Sequence, residues 1–304
     1  MNKKNDLKVL VINCGSSSVK FQLINMVDEN VLASGIVERI ELPQSLIKFE
    51  FGNNSFTKEF DTLDHSSAIS EILDAVTHGQ LGIIDDKSEI SAVGHRVVHG
   101  AEHFTESVLI TDDTTEQIEA CIELAPLHNP HNLKGILVCK KLLTGIPQIA
   151  VFDTAFHQTM EDHVYTYALA YRFYEKYRFR RYGFHGTSHF YVANKAAEIV
   201  GKDIQGLKII TCHLGNGASI AAVKYGKSID TSMGFTPLEG LVMGTRCGDV
   251  DPAMVLFIME KEGLSPHECD MLMNHECGLL GVSGISSDMR DLLKAFQEGN
   301  DRAR

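Results

Sequence analysis

The chain has 304 residues, a formal net charge of −12 at pH 7 and an apolar fraction of 44%. That length admits two domains with a substantial core, and the acidic balance argues against a nucleic-acid partner, which would require a basic face. No apolar run reaches the length of a membrane span, so no membrane partner is expected.

The first residues, MNKKNDLKVLVIN, lack a separate apolar stretch before a small-residue cleavage site and read as the start of a strand. Residues 7–13, 18–26 and 30–38 alternate or run apolar with β-branched residues and predict an antiparallel three-stranded meander. Residues 67–78 carry Ile69, Ile72, Leu73 and Val76 at helical spacing, with Gly79 as a stop. A strand over 90–98 follows, then helices over 114–124 and 131–143. Pro130 opens the second, where a missing N–H does no harm. QIAVF at 148–152 is a strand, and a helix over 187–200 ends at Gly201. A second meander occupies 207–231. A Gly-rich loop over 240–248 and helices over 251–262, 266–275 and 288–298 complete the order.

The two meanders open alike. Residues 7–20 are LKVLVINCGSSSVK and residues 207–220 are LKIITCHLGNGASI. Each is an apolar run that breaks into a turn of Gly with Ser or Asn and resumes as strand. Two such turns facing each other would aim backbone N–H groups and hydroxyls at one point, a nest suited to a phosphate chain. The pattern predicts an α/β duplication with a mixed sheet in each half, over 1–150 and 151–304. In the second half no later strands are legible after the meander, which predicts an incomplete second domain in a truncated chain or fragment. Seven cysteines without a CxxC pair favour reduced thiols and a cytoplasmic location.

Gly226-Lys227-Ser228 imitates a P-loop, but position 221 is Ala and the surroundings are a β turn, which excludes it. Histidines gather at 95–103, 128–131, 185–189 and 267–275. A zinc site is one reading; buried, hydrogen-bonded histidines are the commoner one, and HExxH is absent. Arg96 ends an apolar strand and Arg246 sits in the Gly-rich loop. Two arginines brought together with a histidine would stabilise charge on a transferring phosphoryl group. Asp153 follows QIAVF at the carboxyl end of a strand, where ligands collect in α/β folds. From position alone it is as readily a turn or cap residue.

The segments NCGSSSVKF, GHRVVHG, PLHNPHN, FDTAFHQTM, RYGFHGTSH, TCHLGNGASI, DTSMGFTPLEGLVMGTRCGDVDP and GLLGVSGISSDMR together resemble the acetate kinases. The resemblance runs from residue 7 to about 290. It implies duplicated actin-like ATPase (ribonuclease H-like) domains and direct in-line transfer between ATP and acetate, giving ADP and acetyl phosphate, with Mg²⁺ or Mn²⁺. By match to the family motifs, Asn13 would position the metal. Ser16, Ser18 and Lys20 would meet the nucleotide phosphates, as would His213, Leu214, Gly215, Asn216 and Gly217. Asp288, Met289 and Arg290 would approach the nucleoside. Arg96 would bind the carboxylate or phosphoryl group, Asp153 would be the catalytic acidic residue, and His128, His185 and Arg246 would surround the transferred group. Val98, Leu127, Phe184 and Pro237 would enclose the acetate methyl. Because acetate is already an anion, Asp153 is expected to position an arginine or a metal-bound water rather than remove a proton. The resemblance also implies a homodimer. A GGIGEN-like adenosine loop is absent, so weak or no turnover is expected. Alternatives are a propionate or other short-chain acid kinase, a catalytically incomplete nucleotide-binding fragment, and a His-rich metallohydrolase.

Overall fold

The computed structural model describes residues 7–77 and 82–304. It divides into two compact units, one ending at Ala155 and one running from Phe156 to Arg304.

The first unit is built on β1 (Lys8–Cys14), β2 (Ser18–Asn25), β3 (Asn30–Glu38), β4 (Ser45–Phe51) and β5 (Asn54–Phe60). After these come α1 (His65–Thr77), β6 (Ile90–Val97), β7 (Val108–Leu109), α2 (Asp112–Ala120), α3 (Asn129–Leu142) and β8 (Gln148–Phe152). The strands form one sheet in the order β5-β4-β3-β2-β1-β6-β8-β7. β1, β6 and β8 run parallel to one another, and every other pair is antiparallel.

The meander therefore has five strands where the sequence reading found three. In β4, Ser45, Ile47 and Phe49 alternate inward, a period-2 signal that reading passed over. β5 has no buried residue, because an edge strand needs no core-facing row and so shows no alternation. α1 starts at His65, and the expected stop at Gly79 lies outside the described residues. α2 starts at Asp112 because Thr111 caps it, accepting the Thr114 amide at 3.1 Å.

One face of the sheet is the core. Leu10, Ile12, Val19, Phe21, Val37 and Phe49 pack with Ile69, Ile72, Leu73 and Val76 of α1 and Cys139 of α3. Burying each large aliphatic side chain contributes roughly 1.5–3 kcal/mol. On the opposite face Val11, Asn13, Lys20, Gln22, Ser34 and Lys48 are among the residues lining a concave surface of about 550 Å³.

The second unit contains α4 (Asp162–Tyr165), α5 (Arg172–Tyr177), α6 (Gly186–Ile199), β9 (Lys208–Leu214), β10 (Ala218–Lys224) and β11 (Lys227–Thr231). Four helices follow: α7 (Pro252–Glu262), α8 (Pro266–His275), α9 (Gly278–Ser283) and α10 (Met289–Gln297). Among the described residues its sheet is three-stranded, in the order β11-β10-β9, with β10 central. Tyr225 and Gly226, both at positive φ, make the tight β10–β11 turn. That turn is where the P-loop imitation lies. A Ser265/Glu268 capping box starts α8, with Pro266 at its first position. α7 has no buried residue, and its Met254, Leu256 and Phe257 are exposed.

Candidate active site

In the first unit, Asn13 and Lys20 sit opposite each other across β1 and β2, two residues beyond each end of the Gly15–Ser18 bend. The bend itself is closed by the Gly15 amide donating to the Ser18 carbonyl at 2.8 Å. It is held from behind by two side chains. His65 Nε2 donates to the Gly15 carbonyl at 2.9 Å. Asn132 Nδ2 donates to the Cys14 carbonyl at 2.7 Å, while its Oδ1 accepts the Val98 amide at 3.0 Å. One buried amide thus ties the Ser turn to the segment just after Arg96. Its neighbour Asn129 brackets His99 in the same way, through the His99 amide (3.1 Å) and carbonyl (2.9 Å). The sequence reading assigned His128 from this HNPHN motif and missed Asn132. Two asparagines spaced to share a helix face at its start were the available signal.

Arg96 and Asp153 meet at the carboxyl ends of β6 and β8. The guanidinium donates twice, Nε to Oδ1 at 3.0 Å and NH2 to Oδ2 at 2.5 Å. Asp153 is 2% exposed, and its charge raises the Arg96 pKa further, against the opposing effect of burial. Both carboxylate oxygens are engaged with this one arginine. His128 occupies the N-cap of α3. Leu127 is exposed and Val98 is buried.

In the second unit the HLGNG turn joins β9 to β10. The rings of His185 and His213 stack with centroids 4.0 Å apart. A Cβ on Gly217 would sit 3.3 Å from an Arg246 guanidinium nitrogen and 3.5 Å from the His185 ring. On Gly244 it would lie 2.0 Å from Asn216 Oδ1 and 3.3 Å from Ser287 Cβ. Glycine at both points is what lets His185, Asn216, Arg246 and the segment before Asp288 approach one backbone turn. His185 is the N-cap of α6 in the left-handed region, at φ 59°. That conformation is uncommon outside glycine, though histidine is among the residues enriched there.

The Arg246 loop is clamped at its base. Arg181 NH1 donates to the carbonyls of Thr231, Ser232 and Met233 at 3.1–3.2 Å, and NH2 pairs with Glu239 at 2.7 Å. Tyr167 donates its hydroxyl to Glu239 and accepts the Phe235 amide at 2.8 Å. Burial, then the Glu239 carboxylate, push the Tyr167 phenol up. Arg246 NH1 itself reaches the Pro237 carbonyl at 3.3 Å. Phe184 is fully buried, its carbonyl facing His157 Nε2 at 3.0 Å.

Asp288 caps α10, and Arg290 folds back onto it at 2.5 Å. The Arg290 side chain, then its amide, draw the Asp288 carboxyl down to about 2. Met289 is exposed. The Arg290 guanidinium spends its hydrogen bonds on the Asp288 carboxylate.

Asn13, Ser16, Ser18, Lys20, Arg96, Val98, Leu127, His128 and Asp153 therefore belong to the first unit. Phe184, His185, His213 to Gly217, Pro237, Arg246 and Asp288 to Arg290 belong to the second. Of the clustered histidines, His95, His99 and His189 are buried, with His95 on Gln148 (2.8 Å) and His189 between Thr211 and Ser219 (2.8 Å each). Among the described residues no group of three or more His, Cys, Asp or Glu side chains gathers as a metal site requires. Asn13 offers one hard carbonyl oxygen beside Lys20. That donor suits Mg²⁺, which keeps waters and substrate phosphates as its other ligands.

A strand–turn–strand unit used twice, in two α/β units with mixed strand directions in the larger sheet, is the actin-like ATPase fold. The particular branch follows from comparison with known proteins. The chain belongs to the acetokinase family, whose profile matches residues 8–304. It is 58% identical over 299 residues to the acetate kinase of Thermoanaerobacterium thermosaccharolyticum, spanning 98% of this chain and 75% of that protein. The crystal structure of Porphyromonas gingivalis acetate kinase superposes with a TM-score of 0.93 at 53% identity, covering 98% of this chain and 75% of that one. A propionate kinase from Francisella tularensis superposes at 0.92 with 43% identity and the same coverage.

Proposed function

We propose that this chain is an ATP:acetate phosphotransferase, interconverting ATP and acetate with ADP and acetyl phosphate by direct in-line transfer. The observation that carries this is the convergence of the Arg246 guanidinium and the His185 ring on Gly217, in the turn suited to a phosphate chain. The acetate end rests on the family and on the names of its relatives.

Acetate needs no base, so the barrier to be lowered is the approach of one anion to another. Arg96 meets the acetate carboxylate or the phosphoryl oxygens. Asp153 holds that guanidinium in one plane through both its oxygens, which is a positioning role. Arg246, His185 and His128 stabilise charge on the transferring group. Lys20, Ser16, Ser18 and the residues from His213 to Gly217 bind the nucleotide phosphates. Asp288, Met289 and Arg290 approach the nucleoside, and Val98, Leu127, Phe184 and Pro237 surround the methyl group. Asn13 would hold Mg²⁺ or Mn²⁺, whose contribution when bound is to neutralise the nucleotide phosphates. The two units serve as an N-terminal actin-like domain and a C-terminal nucleotide-binding domain.

We also propose a homodimer in the cytoplasm. All seven cysteines are free thiols, which suits a reducing compartment. No helix among the described residues is long and apolar enough to cross a membrane.

Hydroxylamine trapping of acetyl phosphate from acetate and MgATP tests the reading. Acetate-dependent product is expected, falling by about 10²- to 10³-fold in Arg246→Ala. ADP binding without product would instead mark a nucleotide-binding protein. The same assay with propionate and butyrate tests the pocket, where one methylene is worth about 1–3 kcal/mol. A higher kcat/KM for propionate would reassign the substrate.

A further inference from the structure

A chain of buried side chains lies behind His185 in the second unit. Thr211 Oγ1 donates to the Ala221 carbonyl at 3.4 Å and lies 2.8 Å from His189 Nδ1. His189 Nε2 lies 2.8 Å from Ser219 Oγ, and Ser219 Oγ lies 2.9 Å from His185 Nδ1. Thr211, His189 and Ser219 are 2%, 1% and 0% exposed. They come from β9, α6 and β10.

Thr211 Oγ1 reaches the Ala221 carbonyl only at 3.4 Å, so its 2.8 Å contact with His189 Nδ1 is the stronger one. Ser219 has one hydroxyl hydrogen and touches two ring nitrogens, so it donates to one histidine and accepts from the other. The Ser219 hydroxyl therefore couples the tautomer of His185 to that of His189: the two rings carry their hydrogen on the same nitrogen, both on Nδ1 or both on Nε2. The left-handed backbone at His185 sets where the ring leaves α6. The Ser219 bond sets its rotation, and the His213 ring packs against one face.

We propose that Ser219 is a positioning residue that fixes the tautomer and orientation of His185 through the Thr211–His189–Ser219 relay. Its catalytic consequence rests on the phosphotransferase reading above; the tautomer itself does not.

Long-range ¹H–¹⁵N correlation spectra of the full chain read the tautomers directly. The expected result is the same tautomer on His185 and His189, with the His185 preference lost in Ser219→Ala and the His189 preference lost in the near-isosteric Thr211→Val. Opposite tautomers on the two rings in the unmodified protein overturn the proposal, whether or not either variant folds. In the acetate assay Ser219→Ala should lower kcat about 10- to 100-fold, the range seen when a partner orienting a histidine is lost. The KM for acetate should be nearly unchanged. A lost tautomer with unchanged kcat overturns the positioning role. Absence of turnover in the unmodified protein, with the tautomers as expected, sinks the kinase reading and leaves the relay standing.

Discussion

β1 and β9 begin with the same sequence pattern and end in the same kind of turn, yet they are buried differently. β1 lies between β2 and β6 in an eight-stranded sheet, and its Lys8, Leu10, Ile12 and Cys14 are all buried. β9 is an edge strand of a three-stranded sheet, where only Thr211 is buried and Ile210 and Leu214 are 66% and 74% exposed. The turns differ likewise. The Gly15 turn is pinned from behind by His65 and Asn132, whereas the Gly215 turn is met by Asn216, Arg246 and His185. An apolar β run specifies a strand, but its neighbours decide what that strand contributes to stability.

The largest separation of the two copies should come from truncating matched residues. Leu10→Ala should destabilise by about 2–5 kcal/mol, because it opens a cavity in the first core. Ile210→Ala should stay within about 0.5 kcal/mol. Denaturant midpoints for the two variants check this, and equal losses would sink the contrast.

Acid should also weaken the first unit through its buried histidines. Burial draws His95 down from 6.5 to about 4 and His99 to about 3. Both folded values lie below the unfolded one, so between about pH 6.5 and 3 the unfolded chain binds more protons. Stability therefore falls as pH drops through that window, the His95 part levelling off near 4 and the His99 part near 3. For His95 the loss is on the order of 3 kcal/mol. Unfolding free energies measured from pH 7 to 4 should show the slope, and His95→Gln should flatten it. A slope unchanged by that substitution would remove His95 from the account.

A smaller effect sharpens the contrast between the turns. Asn132→Ala leaves the Cys14 carbonyl and the Val98 amide without their side-chain partner and should cost about 1–3 kcal/mol. Hydrogen exchange at Val98 should quicken while exchange in residues 213–219 stays constant. Matching acceleration at both turns would mean that Asn132 supports more than the first.

The gentlest probe is thiol labelling. Cys14 at the end of β1 is buried, and burial pushes its thiol up to about 12; the same holds for Cys139 on α3. Cys212 on β9 is exposed. Brief iodoacetamide treatment of the native protein, read by peptide mass, should modify Cys212 and spare Cys14 and Cys139. Early modification of Cys14 would contradict the burial of β1.

Much of this was legible in the residues. The repeat, the two glycine turns, the strand QIAVF and the helices opening at Pro130, Pro252 and Pro266 all rest on short-range pattern: alternation, turn chemistry and a proline where its missing N–H costs nothing. β5 was not legible, because an edge strand carries no buried row to announce it. The chemistry-bearing motifs pointed to the acetokinase family without any fold. What only the tertiary structure decided is the pairing. Arg96 meets Asp153 across 57 residues, Asn132 meets Cys14 across 118, and Ser219 meets His185 across 34. A side chain's local sequence sets the element it stands on, but its hydrogen-bond partner is supplied by whichever strand or helix packs beside that element. That is why Asp153 was no better than a turn residue by position, and why nothing in the sequence singled out Ser219.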